Sequence, residues 1–220
     1  MTVGRASLVL HDLADTFDRL DELNARADSP LVEVPTGAIF STGNFHIPGL
    51  AIAHEALGFS IAQIAAMVVQ RCIHLLAPAT SDLPLQLTRH SPGQSGFATV
   101  QKTLTALLND IRHLANPACL DFLPVSAGIE DHAPMALKCV AKLADMRERL
   151  AYLAAIEAVI AAQAVDLRPP EVRATLGQGA RRIYEGVRER VPLLDEDRPL
   201  GPDIERVAEW LLAANSGLGA

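Results

Sequence analysis

The feature that most limits how this chain can fold is a stretch of helical periodicity from roughly residue 131 to residue 167. Val140, Leu143, Leu150, Leu153 and Ile160 form its stripe, and alanines fill the positions between them. Small residues on several faces let neighbouring helices approach from more than one side, which suits the centre of a helical bundle or an oligomer core. Pro134 fits only in the first turn, where a backbone N–H needs no partner. Arg168-Pro169-Pro170 closes the stretch.

The same periodicity recurs elsewhere. Leu10, Leu13, Phe17, Leu20 and Leu23 share one face of a first helix, over about 1–27, which Asp28-Ser29-Pro30 stops. Leu57, Ile61, Ile64, Val68, Cys72 and Leu75 stripe a second, from about Gly49 to Leu76. Phe97, Val100, Leu104, Leu107, Ile111 and Leu114 stripe a third, from about Gly96 to Leu114. Shorter helices are expected near 170–190 and 202–214. The pattern predicts one all-α, long-helix domain over 1–220, with site-bearing loops and helices over 28–130, the long core helix over 131–168 and C-terminal helices over 169–220. The proline- and glycine-rich loops between these helices include an irregular or short-stranded segment over 29–48. Long loops in compact domains are often functional.

Composition narrows the function classes. Hydrophobic residues make up 50% and aromatics 4%. An Ala/Leu/Ile/Val core favours helix packing over a β-sandwich. The net charge of −7, with no Lys/Arg block, argues against phosphate-neutralising nucleic-acid binding. His54, Glu55 and Gln63 interrupt the most apolar run, and Glu157 the next, so neither reads as a membrane span. Cys72, Cys119 and Cys139 are odd in number and form no C-x-x-C, which points to small buried thiols in a reducing cytoplasm. The histidines show no metal-ligand spacing, and Ser41, Ser95 and Ser126 lack a nucleophile-elbow context. Arg181-Arg182 reads as a solvated face.

Polar residues gather at three loop sites: Ser41 to His46, Gln94-Ser95-Gly96 and Glu130-Asp131-His132. The latter two are expected at helix starts, with Ser95 or Asp131 as caps, where free N–H groups favour anions. Taken singly, His46 and His132 read as satisfied loop or core histidines rather than ligands.

At these same segments the sequence resembles the aromatic amino acid ammonia-lyase family, most closely its histidine ammonia-lyase branch. The matching stretches are ADSPLVEVPTGAIFSTGNFH (27–46), GQSGFATVQ (93–101), NPACLDFLPVSAGIEDHAPM (116–135), IEAVIAAQAVDLR (156–168) and LGQGARRIYEGVRERVPLLDEDRPLGPDIE (176–205), in the order of the family's C-terminal half. The resemblance implies an almost wholly helical homotetramer whose active sites are shared between subunits. Its electrophile is a methylidene-imidazolone group made from an internal Ala-Ser-Gly. The substrate amine adds to it, a tyrosine takes the β-proton, and ammonia leaves an α,β-unsaturated acid.

Phe45 matches the active-site phenylalanine of the family's S-G-G-N-F-H motif, and Glu130 the glutamate of its N-Q-E-D-H motif. Asn44, His46, Gln94, Gln101, Ile129 and His132 occupy substrate-binding or site-supporting motif positions. Gly128-Ile129 replaces the motif's Asn-Gln, Gln94 replaces an asparagine, and no Ala-Ser-Gly occurs in the 220 residues. The only tyrosines, Tyr152 and Tyr184, fall away from the matched loops. The expectation is therefore a C-terminal subunit of a split lyase that lacks the electrophile and oligomerises through its long helix. An N-terminal-half partner chain would supply the methylidene-imidazolone, the tyrosine base and the carboxylate-binding arginine. The alternative is a non-catalytic, lyase-derived scaffold or regulatory oligomer.

Overall fold

A computed structural model describes residues 31–40 and 46–216. The expected first helix, together with Asn44 and Phe45, lies outside the described residues. Strand β1 (Leu31–Glu33) pairs antiparallel with β2 (Ala38–Phe40), Val32 opposite Ile39, and Gly37 takes a positive φ of 69° in the turn between them. Helices follow in the order α1 (Pro48–Leu76), α2 (Pro78–Ser81), α3 (Val100–Leu114), α4 (Ala136–Asp166), α5 (Pro170–Ala174), α6 (Gln178–Arg188) and α7 (Gly201–Ser216). The all-α class therefore holds for the described residues, with one short ribbon.

Three boundaries differ from the sequence reading. The stretch 170–190 is two helices, because Gly177 starts α6 in an extended conformation after α5 has ended. Helix α3 begins at Val100, since Gly96 lies in the left-handed region with φ of 53°. Helix α4 begins at Ala136, after a left-handed Met135 with φ of 53°, so Pro134 precedes it. Neither Ser95 nor Asp131 is thus a helix cap.

The chain divides into two compact units, 1–61 with 114–146 and 62–113 with 147–220. All three division points fall inside helices. Within the first unit Ala51, Ala118 and Cys139 are buried together, with Cys119 and Ala136 packed on them. The polar centre of this unit is Glu55 on α1, which is 4% exposed. Lys142 Nζ donates to its two carboxylate oxygens at 2.8 and 2.6 Å and to Asn116 O at 2.5 Å. Ala118 N–H donates to Glu55 Oε1 at 2.7 Å and Cys139 Sγ to the same oxygen at 3.1 Å. A buried carboxylate and ammonium are tolerated together only when paired and hydrogen-bonded in this way.

Burial pushes the Glu55 carboxyl up, but the hydrogen bonds from Lys142, Cys139 and Ala118, with the Lys142 charge, outweigh it and hold the group below its ordinary value. Burial and the Glu55 hydrogen bond push the Cys139 thiol up to about 11, and burial takes Cys72 to about 12. Both are structural thiols, buried as the cysteine pattern suggested, while Cys119 is partly exposed.

In the second unit Leu104, Ile111, Leu153, Ile156, Ile160, Val187, Val191 and Val207 are buried. Gln163, 2% exposed, saturates its amide there. Its Nε2 donates to Leu87 O and Leu194 O, and its Oε1 accepts from Leu194 N. Asp166 at the end of α4 accepts from Tyr184 Oη at 2.6 Å, Arg188 Nε at 2.7 Å and Arg173 Nη2 at 2.9 Å. Helix α1 is long and apolar enough to cross a membrane, with a mean hydropathy of 1.6 over its most apolar window. Its charged positions are used internally, however: Glu55 by Lys142, and Arg71 by Glu157 at 2.5 Å.

Two predictions follow from this packing. A Cβ added at Gly186 would lie 2.4 and 2.5 Å from ring atoms of Trp210, over which Arg190 stacks at 4.7 Å. The overpacking exceeds the helix-propensity gain of alanine, so Gly186→Ala should cost about 1–2 kcal/mol in denaturant unfolding. Gly179→Ala on the same helix meets nothing within 4 Å and should leave stability unchanged or raised. The second concerns acid. Because folding lowers the Glu55 carboxyl from 4.5, its stabilisation is complete above that value and drains away as pH falls through the lowered one. The E55Q/K142M double variant should lack this acid-side loss when unfolding is followed from about pH 7 to about pH 3.

Candidate active site

Between α3 and α4 the chain has little regular structure, and it folds through nested closures. Asp121 N–H donates to Ala118 O at 3.2 Å. Val125 N–H donates to Glu130 O at 3.0 Å, and Gly128 N–H returns to Val125 O at 3.0 Å. Ser126, Ala127 and Gly128 hold φ values of 55°, 56° and 85° in succession. Left-handed backbone is natural for glycine and costs other residues of order 1–3 kcal/mol, so two consecutive non-glycine residues there make this a strained turn. Such strain concentrates at functional loops.

The turn presents Glu130. Its side chain is exposed, and Ser126 Oγ donates to Glu130 Oε1 at 2.8 Å. Ile129 points outward, 85% exposed. The replacement of two motif amides by Gly128-Ile129 has a local reason at the first position, where the positive φ favours glycine. Two residues after Glu130, His132 meets His46 edge-to-face, with ring centroids 4.9 Å apart, and Phe122 lies 6.4 Å from His132. The structure thus brings Glu130, Ile129, His132 and His46 into one unit. Phe45 and Asn44, adjacent to His46 in sequence, lie outside the described residues.

Gln94 and Gln101 belong to the second unit and make structural contacts. Ser95 N–H and Gly96 N–H donate to Asp197 Oδ2 at 2.7 Å and Oδ1 at 2.8 Å, and Asp197 N–H donates back to Gln94 Oε1 at 3.1 Å. Those backbone bonds hold the Asp197 carboxyl below its ordinary value. The anion expected at this loop is a side chain of the same protein. Gln101 Nε2 donates to Gln86 Oε1 at 2.9 Å, beside the left-handed Gln86. Among the described residues no three His, Cys, Asp or Glu side chains converge to hold a metal ion.

Sequence reasoning missed Glu55, Lys142 and Asp197. The first two carry a signal: a carboxylate inside an apolar helical run, and a lysine in register with Cys139 and Met146 on α4. Asp197 carries none, because its partners lie about a hundred residues away.

The arrangement is an exposed carboxylate on a strained turn, followed two residues on by an imidazole that pairs with a second. It is open, so it can form one wall of a site for an amine- or imidazole-bearing molecule. Against known proteins, the sequence model for the aromatic amino acid lyase family matches residues 2–189. Histidine ammonia-lyase of Vibrio cholerae is 40% identical over 193 residues, covering 88% of this chain and 37% of that protein. Histidine ammonia-lyase of Myxococcus xanthus is 38% identical over 188 residues, covering 86% and 36%. The chain spans little more than a third of the length of these relatives. Among solved structures, ergothionase from Treponema denticola superposes with a TM-score of 0.80 at 33% identity, over 96% of this chain and 43% of that one. Tyrosine aminomutase from Streptomyces globisporus gives 0.82 at 29% identity, over 94% and 40%. The Glu130 turn, the histidine pair and the long-helix fold therefore sit in a chain that belongs to the aromatic amino acid lyase family.

Proposed function

We propose that these 220 residues are the C-terminal part of a two-chain amino acid ammonia-lyase, whose other chain supplies the methylidene-imidazolone group. The reaction would eliminate ammonia from histidine or an aromatic amino acid to give an unsaturated acid. The observation that carries this reading is the exposed Glu130 carboxylate, fixed by Ser126 on a strained turn two residues before His132, whose ring meets that of His46. Family membership and coverage of about a third of the relatives' length support it.

When present, the methylidene-imidazolone group supplies an electrophile for the substrate amine. An open turn suits a wall that faces such a group better than a cradle that holds one. Glu130 would receive the substrate's amine or ring N–H and hold its proton in register. Phe45 would pack against the substrate's side chain. His46 and His132 would brace the two motif loops, and the assembly would be an oligomer in the cytoplasm. The 85%-exposed Ile129 in place of a motif amide favours the second reading, a lyase-derived helical scaffold without catalysis.

Co-expression with a chain bearing the Ala-Ser-Gly half of an ammonia-lyase from the same genome tests the proposal. The expected result is co-purification and formation of an unsaturated acid from histidine or an aromatic amino acid. Glu130→Gln should then lower kcat/KM by about 100-fold or more. Co-purification without turnover would favour the scaffold, and turnover unaffected by Glu130→Gln would remove Glu130 from the site.

A further inference from the structure

The loop that carries Glu130 has almost no apolar burial to hold it in place. From 119 to 132 only Cys119 and Phe122 are partly buried; the other side chains are exposed, with Leu120 at 78%, Leu123 at 77% and Ile129 at 85%. Hydrophobic anchoring of a segment depends on area removed from water, and this segment removes little. What fixes its entry is polar and buried. Lys142 holds Asn116 O, Glu55 holds Ala118 N–H, and the two side chains hold one another. Beyond that point three local closures follow along the segment: Asp121 N–H to Ala118 O, the Phe122 ring near His132, and Val125 N–H to Glu130 O, with Ser126 Oγ then holding the Glu130 carboxylate. His132 is held in turn by His46.

We propose that the buried Glu55–Lys142 pair, through Asn116 and Ala118, is the device that positions Glu130, making Glu55 and Lys142 positioning residues for the site. For catalysis this rests on the lyase reading of Glu130; for the loop it stands alone. A salt bridge suits the task because its geometry is directional, whereas an apolar contact would let the loop slide. An ion pair is an expensive way to gain stability, since isosteric apolar replacements of both partners are often neutral; in some proteins what a buried polar group adds is a specified geometry.

The test compares the full chain with Glu55→Gln, Glu55→Asp and E55Q/K142M. Amide hydrogen exchange is followed at 119–131, above all at the Val125 amide that closes onto Glu130, with α6 as the internal control. In E55Q/K142M, which removes both charges and so leaves neither buried unpaired, 119–131 should exchange about tenfold faster or more while α6 is unchanged. Glu55→Asp, which keeps the charge, should restore part of the protection. In the co-expressed complex, Glu55→Gln should lower kcat by about 100-fold with KM changed less than about twofold, the pattern of a misplaced catalytic group. If Glu55→Gln alone fails to fold, the double variant decides. Unchanged exchange at 119–131 in the folded double variant overturns the proposal. Faster exchange without turnover in any complex upholds the loop anchor and overturns the lyase reading instead.

Discussion

A carboxylate and an ammonium withdrawn from water must satisfy each other almost completely, and the first unit is organised around that requirement. Glu55 and Lys142 are both nearly buried, and between them they engage α1, α4 and the strand of chain leaving α3. Removing one partner would leave an uncompensated buried charge, which typically costs several kcal/mol. The pair therefore ties the loop to the helices more rigidly than its modest net stability suggests. Ala51, Ala118 and Cys139 close around it, and the small side chains at these positions are what let α1, α4 and the loop come near enough for the hydrogen bonds to form.

The second unit follows the same logic with other groups. Asp197 takes the two N–H groups that the Ser95-Gly96 bend leaves pointing outward, Asp166 gathers a phenol and two guanidiniums, and Gln163 spends its whole amide on backbone groups of distant segments. Each is a polar side chain completing backbone or cationic groups that no helix or sheet ladder could reach. These three explain why loops rich in proline and glycine are well placed although they carry few large apolar residues.

The Glu130 turn stands apart from this saturation. Its backbone is left-handed at Ser126 and Ala127, its apolar side chains face outward, and its carboxylate is exposed. A segment left open in this way, with apolar side chains outward and a strained backbone, has the expected character of a surface that meets something else. Kinship with the aromatic amino acid lyases gives that surface a chemical context.

The sequence by itself determined the helical class, the presence of the long helices and the family. Helical periodicity is a local property, and motif order survives divergence. Glu130, His46 and His132 were legible as candidate positions because each sits in a matched motif. The breaks were less legible. Periodicity carries α5 and α6 as one helix, and only the extended Gly177 separates them. The helix starts expected at Ser95 and Asp131 failed because left-handed residues at Gly96 and Met135 delay α3 and α4. Only the tertiary structure decided that Asp197 caps Ser95-Gly96, that His46 meets His132 and that Glu55 finds Lys142. Those partners are separated by some 80 to 100 residues, and no local preference encodes a contact that forms only once the helices between them have packed.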